Sequence, residues 1–167
     1  MSPEVSPAGF RVGWGFDAHP LDGEPPLLLG GVTVSETVGV SATSDGDVLA
    51  HAVTDAILGA CSLGDLGDHF PSDDPALRGA DSLEILGRTV AMAAGSGWLV
   101  TFVDVTVIAE SVRIASFRAE MRARLAVTLG LAVDSVSIKA TTTDGLGFIG
   151  RGEGLAVVAV VTVGPLP

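Results

Sequence analysis

Nine consecutive residues near the end of the chain, 155–163, carry no charge and a single hydroxyl, that of Thr162. Valine and alanine dominate the run, and a stretch this short and this rich in β-branched residues reads as a strand. It is about half the ~20 residues a helix needs to cross a bilayer. It does not alternate, so both of its faces need cover, from helices, from a neighbouring subunit, or from both. Whatever this chain folds into, it has this strand inside a sheet with other elements packed on it.

The rest of the sequence supplies those elements. Residues 11–19 alternate, with Val12, Trp14, Phe16 and Ala18 on one face and Arg11, Gly13, Gly15, Asp17 and His19 on the other. That spacing predicts a half-buried strand. Leu27-Leu28-Leu29, Gly30-Gly31 and Val32-Thr33-Val34 read as a hairpin with a two-glycine turn. Residues 47–63 form the clearest helix, with Leu49, Val53, Ala56 and Ala60 as its apolar stripe and Asp45 or Asp47 as candidate caps. An acidic, glycine-rich run up to Ala80 is expected to be mostly structureless, as active-site loops often are. A second helix over 81–94 turns Leu83, Leu86 and Val90 inward. A strand follows over 98–109, a helix over 114–129 with Arg118, Arg122 and Arg124 on one side, and a strand over 135–140. The order predicts one α/β domain, a mixed sheet with helices packed on one face. Residues 1–9, rich in proline and serine, read as a flexible N-terminal tail, and residues 10–167 as the domain.

Composition narrows the function. A net charge of −11 makes nucleic acid and anionic membranes poor partners. Phosphate would have to be held locally, by a metal, by backbone N–H groups or by a few placed cations. The single cysteine, Cys61, allows no internal disulfide and fits a reducing cytoplasm. The N-terminus lacks the basic start and apolar run of a signal peptide.

Two stretches carry candidate metal chemistry, Phe16-Asp17-Ala18-His19 and Ser44-Asp45-Gly46-Asp47-Val48-Leu49-Ala50-His51. Asp17 and His19 lie two apart on a strand, so they point the same way, roughly 6.7 Å apart. With His51 they make a three-ligand set with one open position, the pattern of a catalytic zinc. Asp47 and Asp55 lie one turn either side of His51 and are the candidate carboxylates behind it. The plainer reading is that the histidines are ordinary polar residues and the aspartates helix caps. His69 reads as a loop residue and not a ligand.

Thr141, Thr142 and Thr143 with Asp144-Gly145 end a strand. Their hydroxyls and free N–H groups suit phosphate oxygens, and Asp144 suits Mg²⁺ bridging two phosphates. Read blandly, this is a threonine-rich strand end with an Asp-Gly turn. Gly150-Arg151-Gly152-Glu153-Gly154 reads either as an anion or subunit-contact site or as an exposed turn with an Arg–Glu pair.

Taken in order, these segments resemble the 2-C-methyl-D-erythritol 2,4-cyclodiphosphate synthase family. Gly15-Phe16-Asp17-Ala18-His19, Ser44-Asp45-Gly46-Asp47-Val48, Leu49-Ala50-His51-Ala52, Thr54-Asp55-Ala56 and Gly64-Asp65-Leu66-Gly67 carry the match. So do Phe70-Pro71, Gly79-Ala80-Asp81-Ser82, Lys139-Ala140-Thr141-Thr142-Thr143 and the Arg151 glycine run. The resemblance covers nearly the whole chain. It implies a homotrimer with active sites between subunits. The implied substrate is 4-diphosphocytidyl-2-C-methyl-D-erythritol 2-phosphate, whose 2-phosphate attacks the β-phosphorus and expels CMP. The family belongs to the non-mevalonate isoprenoid pathway.

Residue by residue, Asp17, His19 and His51 match the family's zinc ligands, and Asp144 its Mg²⁺ or Mn²⁺ carboxylate. Asp65, Leu66 and Gly67, with Phe70, Ser72, Asp73 and Asp74, match the methylerythritol-binding segments. Ala109, Arg113 and Ile114, with Ala140 and Thr141, match the cytidine pocket given by a neighbour. Thr142 matches a residue that stabilises the transition state, with Thr143 beside it. Phe148, Arg151 and Glu153 match residues near the trimer's central cavity, where some members hold an isoprenoid diphosphate. Thr43, before Ser44, stands where the family usually has a phosphate-stabilising histidine. Val112-Arg113 replaces Pro-Lys, and Ser72 a common aspartate. Two alternatives stay open: another zinc-dependent phosphoesterase and, on the Thr43 departure, a weak or non-catalytic member that binds a nucleotide or isoprenoid diphosphate.

Overall fold

The computed structural model describes residues 9–167; of the expected tail, residues 1–8 lie outside the described residues. The uncharged run becomes β6 (Gly154–Pro165), an interior strand of a four-stranded sheet. On one side it pairs antiparallel with β1 (Arg11–Pro20), Trp14 opposite Val160. On the other it pairs antiparallel with β4 (Trp98–Ile108), which in turn pairs parallel with β5 (Val136–Thr141). β1, β4 and β5 therefore run the same way, and their C-terminal ends share one edge of the sheet. A separate hairpin, β2 (Leu27–Leu29) and β3 (Val32–Ser35), turns at Gly30 and Gly31, both at positive φ, which a two-residue hairpin turn requires.

The helices α1 (Val48–Cys61), α3 (Ser82–Gly95) and α4 (Arg118–Leu129) pack on one face of that sheet. Between α1 and α3 the chain makes the single turn α2 (Leu66–His69) and a short 3₁₀ turn at Pro75–Leu77. The stretch read as mostly structureless is thus held by local caps, because its aspartates bond the backbone. Asp65 and Asp68 form a reciprocal capping box and Asp74 accepts from Ala76 N–H. One more turn, α5 (Gly147–Gly150), precedes β6.

The core lies between the helices and the sheet, with α1 at its centre. α1 is buried almost all round, between the sheet, the hairpin and α3. Its seat on β1 explains the glycines there. A Cβ at Gly13 would overlap the Ala56 carbonyl, and one at Gly15 the Ala52 carbonyl. The glycine face of β1 is the inner one. The apolar face, with Val12 58%, Trp14 62% and Phe16 47% exposed, lies on the far side of the sheet. There Phe16 stands opposite Val158 and Trp14 opposite Val160, and no layer among the described residues covers them. Helix α3 is rotated slightly from the expected stripe. Ser82, Ile85, Leu86, Thr89 and Ala93 are its buried residues, while Leu83 and Val90 are half-buried.

Candidate metal centre

Two devices decide where His51 meets β1. The bare glycine face lets α1 approach the strand closely. Asp47, fully buried, caps α1 through Ala50 N–H at 3.0 Å and accepts the N–H groups of Gly30 at 2.9 Å and Gly31 at 2.6 Å. That ties the start of the helix to the hairpin turn. His51, in the first turn of α1, then faces the end of β1, where Asp17 and His19 point toward the helix layer.

Asp17 Oδ2 lies 3.1 Å from His19 Nε2 and 3.1 Å from His51 Nδ1. One ligand atom from each of the three residues falls within 4.8 Å of the others, and no other such group occurs among the described residues. The far side of each imidazole is occupied too. His19 Nδ1 donates to the Ser41 carbonyl at 2.9 Å. His51 Nε2 lies 3.1 Å from Ser44 Oγ and 3.0 Å from Ser82 Oγ. Two imidazoles and a carboxylate, each imidazole braced at its other nitrogen, are the donor set of a zinc-type site. Burial pushes the Asp17 carboxyl up, but hydrogen bonds from His19 and His51 and their charge overcome it and hold it well below the usual carboxylate range. The Asp17 carboxylate in turn raises His19, against its burial, with help from the Ser41 carbonyl.

Asp47 and Asp55 do not brace His51. Helix spacing sets them on one stripe with it, yet each carboxylate meets another element first. Asp47 holds the hairpin, and Asp55 accepts from Leu66 N–H at 3.2 Å. The bracing groups are Ser41, Ser44 and Ser82, and Ser82 in turn bonds Asp45. Ser82 stood within a quoted motif, but at the start of a helix it reads as part of a cap, so periodicity gives it no link to His51. His69 donates to the Leu63 carbonyl at 2.6 Å and stands outside the cluster.

The triad opens onto a cavity lined by Thr43, Ser44, Leu66, Phe70, Ser72 and Ile85. Asp65, Leu66 and Gly67 line a second recess on Asp17, His51 and Asp55. Asp73 is exposed beyond the cavity. A separate recess at the ends of β4 and β5 gathers Ala109, Arg113, Ile114, Ala140, Thr141 and Thr142. Beside it the Thr142 hydroxyl donates to Asp144 Oδ1 at 3.2 Å, and Thr143 Oγ1 donates to the Leu146 carbonyl at 2.6 Å. Phe148 faces Ala18, His19 and Pro20 in a further recess, with Glu153 on its rim. Arg151 is ion-paired with Glu153 at 2.7 Å, and both are exposed. The triad and the β4–β5 recess share one sheet edge but stand two and three strands apart, about 10–14 Å at the usual spacing.

The sequence profile of the YgbB family matches residues 10–164. The 2-C-methyl-D-erythritol 2,4-cyclodiphosphate synthase of Shewanella piezotolerans is 50% identical over 151 residues, 90% of this chain and 95% of that one. The Pseudomonas aeruginosa enzyme of the same name is 49% identical over 150 residues, covering 90% and 96%. Among solved structures, the bifunctional IspDF of Campylobacter jejuni superposes with a TM-score of 0.91 at 42% identity. That match covers 94% of this chain, which spans only 42% of the bifunctional one. The Plasmodium falciparum IspF–CDP complex, 30% identical, superposes with a TM-score of 0.82 and covers 96% and 99%.

Proposed function

The chain belongs to the YgbB family, and from that membership we propose how its own residues carry out the reaction of the family's cyclodiphosphate synthases. The reaction converts 4-diphosphocytidyl-2-C-methyl-D-erythritol 2-phosphate into 2-C-methyl-D-erythritol 2,4-cyclodiphosphate and CMP, within the non-mevalonate route to isoprenoids. The observation that carries the reading is the Asp17/His19/His51 cluster opening onto the cavity of Thr43, Ser44 and Phe70.

The nucleophile and the electrophile are parts of one molecule, so the protein's task is to position them and to balance charge. Asp17, His19 and His51 hold a divalent cation, with zinc the ion this donor set suits, and when bound it supplies Lewis-acid polarisation of a phosphoryl oxygen. The Thr43 and Ser44 hydroxyls stand beside the triad as donors to the phosphates. Leu66, Phe70 and Ile85 give the cavity an apolar wall that suits a methylated carbon skeleton, and Asp65, Gly67, Ser72, Asp73 and Asp74 offer its hydroxyls polar partners. The Ala109–Ile114 and Ala140–Thr142 segments take the cytidine, with Arg113 near its phosphate. The Thr142 hydroxyl donates to the phosphoryl oxygens on which charge develops. Asp144, beside it, is the carboxylate for Mg²⁺ or Mn²⁺ on the diphosphate.

One chain holds the triad and the β4–β5 recess apart, so the reading assembles a site from two neighbouring copies of a homotrimer. The apolar sheet face of Val12, Trp14, Phe16 and Phe102 is the surface that supports assembly. Phe148, Arg151 and Glu153 then stand near the trimer axis. A cytoplasmic location belongs to the same reading, resting on the lone Cys61. No helix among the described residues is long and apolar enough to cross a membrane.

The test is incubation with the substrate and Mg²⁺ in ¹⁸O-labelled water. The expected result is CMP and cyclic product in equal amounts with no label in the product. Labelled linear product would instead indicate a phosphoesterase, and no CMP would indicate a binding protein.

A further inference from the structure

We propose that Asp45 is a positioning residue for the substrate's carbon skeleton: it clasps the loop of Thr43 and Ser44 to the far foot of an arch over 71–78 and so sets the cavity between them. The proposal rests on the reading of that cavity as the substrate's site.

The cavity beside the triad has walls from two loops. Ala42, Thr43 and Ser44 form one, and Phe70, Ser72 and Leu77 the other. The second wall is the arch. Among the described residues, every hydrogen bond of residues 71–78 stays within 71–80. Asp74 N–H meets the Pro71 carbonyl, Leu77 N–H that of Asp74, Arg78 N–H that of Pro75 and Ala80 N–H that of Leu77, while Ala76 N–H meets the Asp74 carboxylate. Such bonds give the arch its shape and leave its place to its feet. The near foot is Phe70, buried, with its N–H on the Leu66 carbonyl at 2.8 Å and the Arg88 guanidinium 4.8 Å from its ring centre.

The far foot, 79–82, is held by the loop of Asp45. Gly79 N–H donates to the Thr43 carbonyl at 2.9 Å, and Asp45 N–H to the Ala80 carbonyl at 3.1 Å. The Asp45 side chain adds three bonds. Its Oδ2 accepts Ser82 N–H at 3.1 Å, and its Oδ1 accepts the Ser82 hydroxyl at 2.5 Å and Asp47 N–H at 3.1 Å. Capping does not account for them. Asp81 caps α3 through Leu83 N–H at 2.7 Å, and Asp47 caps α1 through Ala50 N–H at 3.0 Å. What Asp45 does is join the two helix starts. Its donors occupy both oxygens, and an asparagine offers only one. In either flip, an asparagine would turn its NH₂ toward the N–H of Ser82 or of Asp47, both fully buried residues with no water to replace the lost acceptor.

Placement matters because both reacting groups lie on one molecule. The triad end of the cavity takes the phosphates and the arch takes the carbon skeleton. A shift of the arch therefore moves the attacking phosphate relative to the phosphorus, and about 1 Å of misplacement can cost ~100-fold in rate.

The test uses the full-length zinc-loaded protein and two measurements, amide hydrogen exchange and steady-state kinetics. In the wild type the Gly79 and Ser82 amides are expected to be protected. Those of Ser72 and Asp73, which have no partner among the described residues, are expected to exchange freely. Asp45→Asn is expected to expose Gly79 and Ser82, to raise KM and lower kcat, and to cut kcat/KM about ten- to hundredfold. Zinc content and affinity for CMP, which carries the cytidine and none of the skeleton, are expected to stay as in the wild type. An unchanged kcat/KM overturns the proposal. So do zinc content and CMP affinity that fall in step with activity, since that marks a general structural defect. Exchange needs no variant: wild-type Gly79 and Ser82 amides as fast as those of Ser72 and Asp73 overturn the proposal even where Asp45→Asn does not fold. A wild type that makes no cyclic product removes the functional reading instead, and the exchange pattern then decides the clasp alone.

Discussion

Asp17 is the residue on which the site turns, because a single carboxylate oxygen serves both imidazoles. The same contacts make the zinc-free protein sensitive to pH. His19 is raised above its ordinary 6.5, so its contribution to stability is complete below that value and is lost as pH rises through the raised one. Asp17 is depressed below its ordinary 3.8, so its contribution is present above that value and is lost as pH falls through the depressed one. The zinc-free protein should gain most from this pair between those two pH values and lose that gain on the alkaline side. Circular-dichroism melts across pH should show both limbs, and Asp17→Asn should flatten them; superimposable profiles would show that the contacts carry no such linkage. Zinc should reverse the alkaline limb, since a metal takes imidazole in its neutral form. That Asp17 and His19 act together was legible from a two-residue spacing on a strand. That Ser41 and Ser82 brace the histidines was not, because those contacts span separations of 22 and 31 residues with no periodicity to mark them.

At the scale of elements, the join between hairpin, β1 and α1 does most to place the site. Asp47 satisfies three N–H groups at that join, two in the turn and one in the helix. Asp47→Ala would lose a helix cap and leave hairpin donors unpaired in a buried place. The expected cost is about 2–4 kcal/mol, measurable by urea unfolding. A loss under ~0.5 kcal/mol would mean that the turn finds other partners. The expected roles of Asp47 and Asp55 behind His51 failed here for an elementary reason. Helical spacing says which residues share a stripe, but the nearest partner on another element decides what a carboxylate binds. The acidic loop shows the reverse case: caps at Asp65 and Asp74 are local, and a reading of hydrogen-bonding aspartates could have found its short turns.

For the whole molecule, the outer sheet face is the open question that the single chain poses. Trp14 and Phe16 stack at 6.1 Å with nearly parallel rings on a surface that no other layer of the described residues covers. Under the trimer reading, Trp14→Asp should leave the fold and the zinc triad intact, since Trp14 points away from the helices. It should still give monomers by sedimentation and lose synthase activity, because the β4–β5 recess would no longer meet a neighbour's triad. A wild-type protein that sediments as an active monomer would remove the assembly from the account.

Local pattern by itself determined a good deal of this protein. Alternation and β-branching marked the strands, the 3.6-residue stripe marked α1, and the uncharged run at 155–163 required an interior strand. These are short-range properties, written within a few residues of one another. The tertiary structure alone decided which face of β1 turned inward. Hydrophobicity favours the side with Val12, Trp14 and Phe16, but the close seat of α1 can be met only where Gly13 and Gly15 leave backbone bare. It also decided which oxygen meets which imidazole nitrogen. Those choices rest on contacts between residues far apart in the chain, where steric fit and hydrogen-bond direction outrank composition.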